Sequence, residues 1–145
     1  MKSDFDYQAM PISFGHCLNK TCLRADKCLR HQMALRIPKE REFVQVLAPD
    51  HVSPTGEDCI FFIDEKPLLY ARGMTHLLDH VIMKEAQVLK RLIFAHMGNN
   101  NYYRSMNKER LIKPQEQAYI KKLFQSRGIT EPPIFDEYVE YYDLG

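Results

Sequence analysis

Apolar positions recur with a helical period in several parts of the chain. In "ADKCLRHQMALR", for example, Leu29 and Met33 lie four residues apart, and Asp26 favours a helix start just before them. The helical stretches at 84–97 and 114–128 end at or before a glycine, as helices commonly do. The expected helices cover 25–36, 84–97, 99–110 and 114–128, and "THLLDHV" is expected to form a short helical segment with Thr75 as its cap.

Other stretches have the pattern of β-strands. "EFVQVLA" places apolar residues on both sides of Gln45, "CIFFI" is a short continuous apolar run, and "PLLYA" is a third extended piece. Pro54 and Gly56 predict a turn-rich loop between the first two. The acidic, tyrosine-rich "FDEYVEYYD" is expected to form a short closing helix.

These elements predict an α+β fold that is mostly helical, with a cysteine-rich N-terminal loop and a small β element packed on a C-terminal helical bundle. We expect one domain, 1–145, in which 1–73 holds the cysteine-containing loop, a helix and the short strands, and 74–145 is helical. No apolar run is long enough to span a membrane, and the N-terminus lacks the pattern of a secretory signal. We therefore expect a cytoplasmic protein without membrane contact.

The four cysteines are the most informative chemical feature of the sequence. Three of them fall within twelve residues, and the spacing is Cys17-x4-Cys22-x5-Cys28-x30-Cys59. Cys59 follows a glycine-containing turn, "TGEDC", which allows backbone amides to point at a thiolate. This arrangement favours a metal site of four thiolates.

Three other interpretations of the cysteines stay open. Two disulfides would suit a small secreted domain, but the chain carries no export signal. A catalytic thiol would need a base such as His16 or His31, and no nucleophile motif surrounds it. The cysteines are also small side chains that fill apolar cores.

A structural zinc ion is the expected metal, because zinc takes four soft ligands in a tetrahedron. An iron–sulfur cluster is the alternative, although the x4 and x5 gaps differ from the ferredoxin pattern. His31, three residues after Cys28 on the expected helix, is a candidate substitute ligand or outer-shell partner.

The charge is unevenly distributed. Residues 84–127 carry ten Lys or Arg against three Asp or Glu, whereas 128–145 carry five acidic residues and no basic one. The basic segment loosely resembles phage-type helix-turn-helix regulators, which implies contact with DNA or RNA through a second helix. The candidate contact residues are Tyr103, Arg104, Asn107, Lys108 and Arg110.

The sequence contains no glycine-rich phosphate loop and no nucleophile elbow, and we assign no catalytic residue. It therefore favours a non-enzymatic binding module stabilised by a four-cysteine metal site, with nucleic acid as the candidate partner. A protein-interaction adaptor without nucleic-acid binding is the first alternative. An iron–sulfur redox or sensor protein is the second.

Several motifs together resemble one family across nearly the whole chain. They are the three-cysteine loop, "MKSDFDY", "SPTGEDC", "THLLD", "YYRSMNKERLIKPQEQAYI" and "FDEY". The family is one of small uncharacterised proteins from anaerobic gut bacteria. The resemblance implies a single bacterial domain and no particular activity.

Overall fold

The structure is a computed structural model that describes residues 5–144, so residues 1–4 and 145 of the expected domain lie outside the described part. The chain divides into two compact units. The N-terminal unit comprises the chain up to Pro67 together with the residues from Tyr142 onward, and the C-terminal unit is Leu68–Tyr141. The expected α+β class is confirmed, but only 36% of the described residues are helical, so the expectation of a mostly helical chain is wrong.

The C-terminal unit combines helices with a three-stranded antiparallel sheet. Its helices and strands are α2 (Met83–Met97), α3 (Asn99–Met106), α4 (Pro114–Ser126), β1 (Leu68–Arg72), β2 (Leu111–Ile112) and β3 (Glu137–Tyr141). The strand order is β2-β1-β3. In the register of the central strand, Ala71 lies opposite Ile112 of β2, and Leu68 lies opposite Tyr141 of β3.

The helical periods of the sequence are confirmed in α2 and α4. Helix α2 buries Leu89, Ile93 and Met97, as the three- and four-residue spacing requires. It stops at Gly98, whose φ of 83° is easily adopted only by glycine, and α3 begins at the next residue. No helix within residues 5–144 has both the length and the apolar composition needed to cross a membrane.

Two helices expected in the C-terminal half are absent. "FDEYVEYYD" contains strand β3 instead, because its tyrosines and Val139 suit a pleated strand and β1 offers an edge to pair with. "THLLDHV" forms consecutive turns, in which Thr75 donates to Asp136 rather than capping a helix. Helix α3 is also shorter than expected, because Lys108 adopts a left-handed φ of 66° soon after Met106.

The core of the C-terminal unit lies between its helices and β1. Its buried residues are Ala71, Met74, Leu77, Leu89, Ile93, Met97, Tyr102, Ile112, Ile120, Phe124 and Phe135. They come from every helix of this unit, from β1 and β2, from the turns after β1 and from the loop before β3. The helices and the sheet of this unit thus share one apolar core.

The N-terminal unit has much less regular structure. Its described elements are α1 (Leu29–Ala34) and 3-10 turns at Tyr7–Ala9, Ala25–Lys27 and Pro49–His51. The strands expected over "EFVQVLA" and "CIFFI" are wrong, since only isolated bridges form, between His16 and Val46 and between Cys28 and Asp64. Of the three expected strands, only "PLLYA" becomes one, as β1 of the other unit.

The small core of the N-terminal unit explains why those strands are missing. Its buried residues are Tyr7, Met10, Phe14, Leu29, Met33 and Tyr142. From the "CIFFI" segment, Ile63 packs against this core, whereas Phe61 and Phe62 line a cavity beside the cysteines. The apolar residues of this segment thus divide between the core and the cavity beside the cysteines. This division differs from the alternating pattern of a regular strand.

Asp136 provides a testable contact within the C-terminal unit. Its carboxylate accepts hydrogen bonds from the Thr75 hydroxyl (2.7 Å) and from the backbone N–H groups of Thr75 and His76. Partial burial raises the pKa of Asp136, but these hydrogen bonds outweigh it and the pKa is lowered overall. We expect Asp136→Asn to lose about 1 kcal/mol at neutral pH, a fall of roughly 2–4 °C in Tm.

A lowered folded-state pKa stabilises the protein above the ordinary carboxyl pKa, and this stability is lost as the pH falls through the folded value. The difference in Tm between wild type and Asp136→Asn should therefore shrink in acid. Thermal melts of both proteins between neutral and acid pH measure it. The matched control is Glu131→Gln at an exposed position, and a difference independent of pH would contradict the assignment.

Candidate metal centre

All four cysteines line one small cavity in the N-terminal unit. The cavity has a volume of about 20 Å³, enough for one water-sized particle. Besides Cys17, Cys22, Cys28 and Cys59, its lining includes His31. Cysteines that are up to 42 residues apart in the sequence are thus brought to one place by the fold.

Helix α1 positions two of the cysteines. Cys28 is the N-cap residue of α1, and its segment is held by the bridge to Asp64 and by the bond from the Leu29 N–H to the Ile63 carbonyl (2.7 Å). The Cys17 N–H donates to the carbonyl of Arg30 in the same helix (3.2 Å). Both thiols are buried as a result.

Cys22 and Cys59 are positioned by the turn that precedes Cys59. The Leu23 N–H donates to the Thr55 carbonyl (3.0 Å), which holds the Cys22 loop against this turn. Gly56 has a φ of 81°, and a Cβ added there would overlap the Cys22 sulfur. A larger residue at position 56 would therefore displace Cys22 from the cavity.

The ionisation of Cys17 shows that the four thiols are electrostatically coupled. Burial raises the pKa of the Cys17 thiol, the backbone N–H of Asn19 opposes this, and the charges of Cys28, Cys22 and Cys59 raise it further. All four cysteines are free thiols rather than disulfides. Binding of a metal ion to such a group would release protons, since the thiolate is the ligand.

Two arginines also line the cavity. Arg24 donates to the Gly56 carbonyl (2.9 Å), and its guanidinium lies 4.0 Å from the centre of the Phe62 ring. Arg30 donates to the carbonyls of Phe61 (2.8 Å) and Gly15 (3.0 Å). Neither arginine has a described carboxylate partner, so both positive charges are available to balance negative charge on the sulfurs.

His31 has an unusual environment. Its Nδ1 is the one buried side-chain nitrogen or oxygen within residues 5–144 that has no hydrogen-bond partner. His31 also lines the cysteine cavity. A buried nitrogen without a partner is uncommon in folded proteins, so this histidine is a candidate for contact with a group bound there.

His16 has a structural role instead. Its Nδ1 lies 2.8 Å from the Gln45 carbonyl, which only a protonated nitrogen can bond. Its Nε2 then accepts from the Tyr7 hydroxyl at 2.6 Å. Both ring nitrogens are occupied, so neither is free to bind a metal or to act as a base toward a cysteine.

No group of three or more His, Cys, Asp or Glu side chains within the described chain is arranged to hold a metal ion. The fold does bring the four cysteines to the lining of one cavity, which contains no Asp or Glu. This donor chemistry fits a soft metal ion and does not fit calcium or magnesium, which require oxygen ligands.

Two of the five residues predicted to contact nucleic acid form ion pairs within the C-terminal unit. Lys108 donates to Glu137 (3.1 Å). Arg110 forms a bidentate pair with Glu116 (2.9 and 3.0 Å) and also donates to the Ser105 hydroxyl. These two cations are therefore engaged within the C-terminal unit.

The other three candidates lie on or just after α3. Tyr103 is 51% exposed, and Arg104 and Asn107 are also exposed, whereas the neighbouring Tyr102 is buried in the core. Tyr103 contacts Tyr102 edge to face with 5.3 Å between ring centres. The exposed surface of α3 is thus small and carries one cation.

A short repeat in the sequence marks Arg24 and Arg30 as residues of this site, although the spacing between the cysteines does not. The tripeptide Cys-Leu-Arg occurs twice, at 22–24 and at 28–30. In each copy the arginine lines the same cavity as the cysteine. The repeated tripeptide is therefore a sequence mark of this centre, and it could have been found by searching for a cation close to each cysteine.

Comparison with known proteins identifies the chain at the level of a family. The model of a family of unknown function, DUF6078, matches residues 1–144. The chain belongs to this family. The expected membership of an uncharacterised family is confirmed. No curated protein and no solved structure matches the chain.

Proposed function

We propose that the protein is a non-enzymatic binding module whose N-terminal unit is held in shape by one zinc ion bound through Cys17, Cys22, Cys28 and Cys59. The observation that carries this proposal is the common cavity of the four thiols. Each thiolate would have to lie about 2.3 Å from the ion, so the cysteines close on it when it binds.

The thin core of the N-terminal unit supports a structural role for the metal. The described part of this unit has one six-residue α-helix and isolated bridges in place of a sheet. Its buried cluster has six members among these residues. Units of this size with little regular structure commonly need disulfides or a metal, and these cysteines form no disulfides.

The spacing of the cysteines favours zinc over an iron–sulfur cluster, because the x4 and x5 gaps differ from the ferredoxin pattern. A zinc ion with four thiolates would carry two net negative charges. The two positive guanidinium groups of Arg24 and Arg30, which line the same cavity, would balance them.

Metal analysis tests the proposal directly. Protein purified without added metal and without oxygen should contain about one zinc per chain and show no visible absorption. Iron with sulfide and a brown colour would replace this proposal by the redox alternative. Four titratable thiols with no bound metal would overturn it.

His31 is expected to support the ion from the outer shell, because four thiolates already complete a tetrahedron. Its Nδ1–H would donate to a coordinated sulfur. His31→Ala should weaken zinc binding about tenfold, measured by competition with a chromophoric chelator. In cobalt-substituted protein, the thiolate-to-metal absorption should keep its intensity.

The control for this prediction is His51→Ala, because His51 is exposed and does not line the cavity. Equal zinc affinity in His31→Ala and wild type would contradict the outer-shell role. A cobalt spectrum that changes with His31→Ala would instead make this histidine a direct ligand.

Nucleic acid is a second candidate partner, and it would bind the C-terminal unit. The observation that favours it is a set of exposed cations with no described ion pair, namely Lys90, Arg91, Arg104, Lys121 and Lys122. Positive side chains without an acidic partner attract the phosphates of nucleic acid. Lys121 and Lys122 on α4 now replace Lys108 and Arg110 as the positions to test.

Binding through these cations predicts a steep dependence on salt. With a labelled duplex or single strand, the double variant Lys121→Gln/Lys122→Gln should reduce the slope of log K against log salt by about 2. Fluorescence anisotropy across a salt series measures this slope. The matched control is Lys20→Gln/Lys27→Gln, two exposed lysines of the N-terminal unit. Equal slopes in both variants would refute the interface.

A further inference from the structure

Residues 43–47 of the N-terminal unit have one paired edge and one open edge. The His16 N–H donates to the Gln45 carbonyl (2.8 Å), and the Leu47 N–H donates to the His16 carbonyl (2.9 Å). In this parallel bridge the N–H and C=O of Val46 point away from His16. The backbone groups of Val44 and Val46 have no partner in the described part of the chain.

Two grooves follow one another along this segment. One has a volume of about 320 Å³ and is lined by Val46 and Leu47 together with Leu18, Pro49 and Val52, among others. The other has a volume of about 250 Å³. Its lining includes Tyr7, Met10, Ile12, Arg41, Phe43 and Val44. Each groove is large enough for a bulky apolar side chain.

The second groove carries a positive charge. The Arg41 guanidinium donates to the side chain of Gln8 (2.8 Å) and lies 5.5 Å from the centre of the Tyr7 ring. It pairs with no carboxylate in the described structure. A carboxylate brought by a partner would therefore find an available cation beside an apolar groove.

We propose that segment 43–47 binds an extended peptide of a partner protein by strand addition. The peptide would pair with the open N–H and C=O of Val46, place apolar side chains in the two grooves and present a carboxylate to Arg41. An extended peptide is the occupant that this surface fits, since only a strand supplies alternating backbone donors and acceptors along an edge.

This inference rests on the binding-module function proposed above and names the class of partner. It also relates the partner to the metal, because Cys17, Leu47 and Val52 line both the cysteine cavity and the Val46 groove. Removal of the metal should therefore weaken peptide binding as well.

The test uses the full chain and a displayed library of random eight-residue peptides. Enriched peptides should combine apolar residues with Asp or Glu. After resynthesis, N-methylation at alternate residues should weaken their binding at least about tenfold, because it removes the backbone donors of a strand. A library that yields no binder, or binders indifferent to N-methylation, would overturn the proposal.

Two variants locate the binding site. Val46→Pro removes the outward N–H, and Val46→Thr keeps that N–H with a similar side-chain shape. Arg41→Glu reverses a surface charge. It tests the same site if Val46→Pro does not fold. Binding should fall at least about tenfold in Val46→Pro and Arg41→Glu but not in Val46→Thr.

Binding that persists in both Val46→Pro and Arg41→Glu would overturn the site. Zinc content measured on the same samples separates the two proposals. Peptide binding that depends on Arg41 in protein without zinc would refute the metal site alone. Zinc-loaded protein that selects no peptide would refute this interface alone.

Discussion

Chelation of the proposed zinc ion is expected to expose the backbone of α1 to solvent. Two of the proposed ligands are fixed by this short helix, and the unit around it has only a small apolar core. Structural zinc sites contribute several kcal/mol to folding, so the amides of Leu29 and Met33 should lose at least about 100-fold in hydrogen-exchange protection. The amides of Leu89 and Ile93 in α2 provide an internal reference.

The variant Cys28→Ser makes this prediction more specific. Cys28 occupies the N-cap position of α1 without capping it through its side chain, and serine is a favourable N-cap residue. The substitution should therefore leave the helix start intact or improve it. A loss of zinc and of α1 protection in Cys28→Ser would come from the missing thiolate. Unchanged protection after chelation would show that the metal does not hold this unit.

The second large effect is expected for Gly56→Ala. A left-handed φ costs a non-glycine residue about 1–2 kcal/mol, and the new Cβ would also overlap the Cys22 sulfur. The sulfur must therefore shift to make room for the new Cβ. We expect at least about tenfold weaker zinc binding together with a lower Tm.

Gly128→Ala separates the two causes. Gly128 also has a left-handed φ, of 76°, but a Cβ added there meets no atom within 4 Å. This variant should lose stability through backbone strain alone and keep the zinc affinity of the wild type. Chelator competition and thermal melts on both variants measure the two quantities. Equal zinc affinities would show that the contact between position 56 and Cys22 is unimportant.

The sequence predicted those parts of the fold that depend on local periodicity. Helices α2 and α4 follow from apolar spacing and from terminal signals such as Gly98 and Pro114. The strand at Glu137–Tyr141 was mistaken for a helix, because its pairing with Leu68–Arg72 joins segments about seventy residues apart. Local patterns do not encode such a partner.

The candidate metal centre was predictable as a set of cysteines but not as a geometry. The four residues can be read from their spacing, and they do line one cavity. Spacing could not show that Gly56 must stay small beside Cys22, or that Arg24 and Arg30 contribute charge there. These contacts depend on loops that meet only after folding.

The stretch from Glu137 to Tyr142 contributes to both units, and this affects the order of folding. Residues Glu137–Tyr141 form a strand of the C-terminal sheet, and the next residue, Tyr142, is buried in the core of the N-terminal unit. Neither unit can complete its packing until the ribosome has synthesised this stretch. The two units of a nascent chain should therefore complete their folding together, after residues 137–142 have emerged.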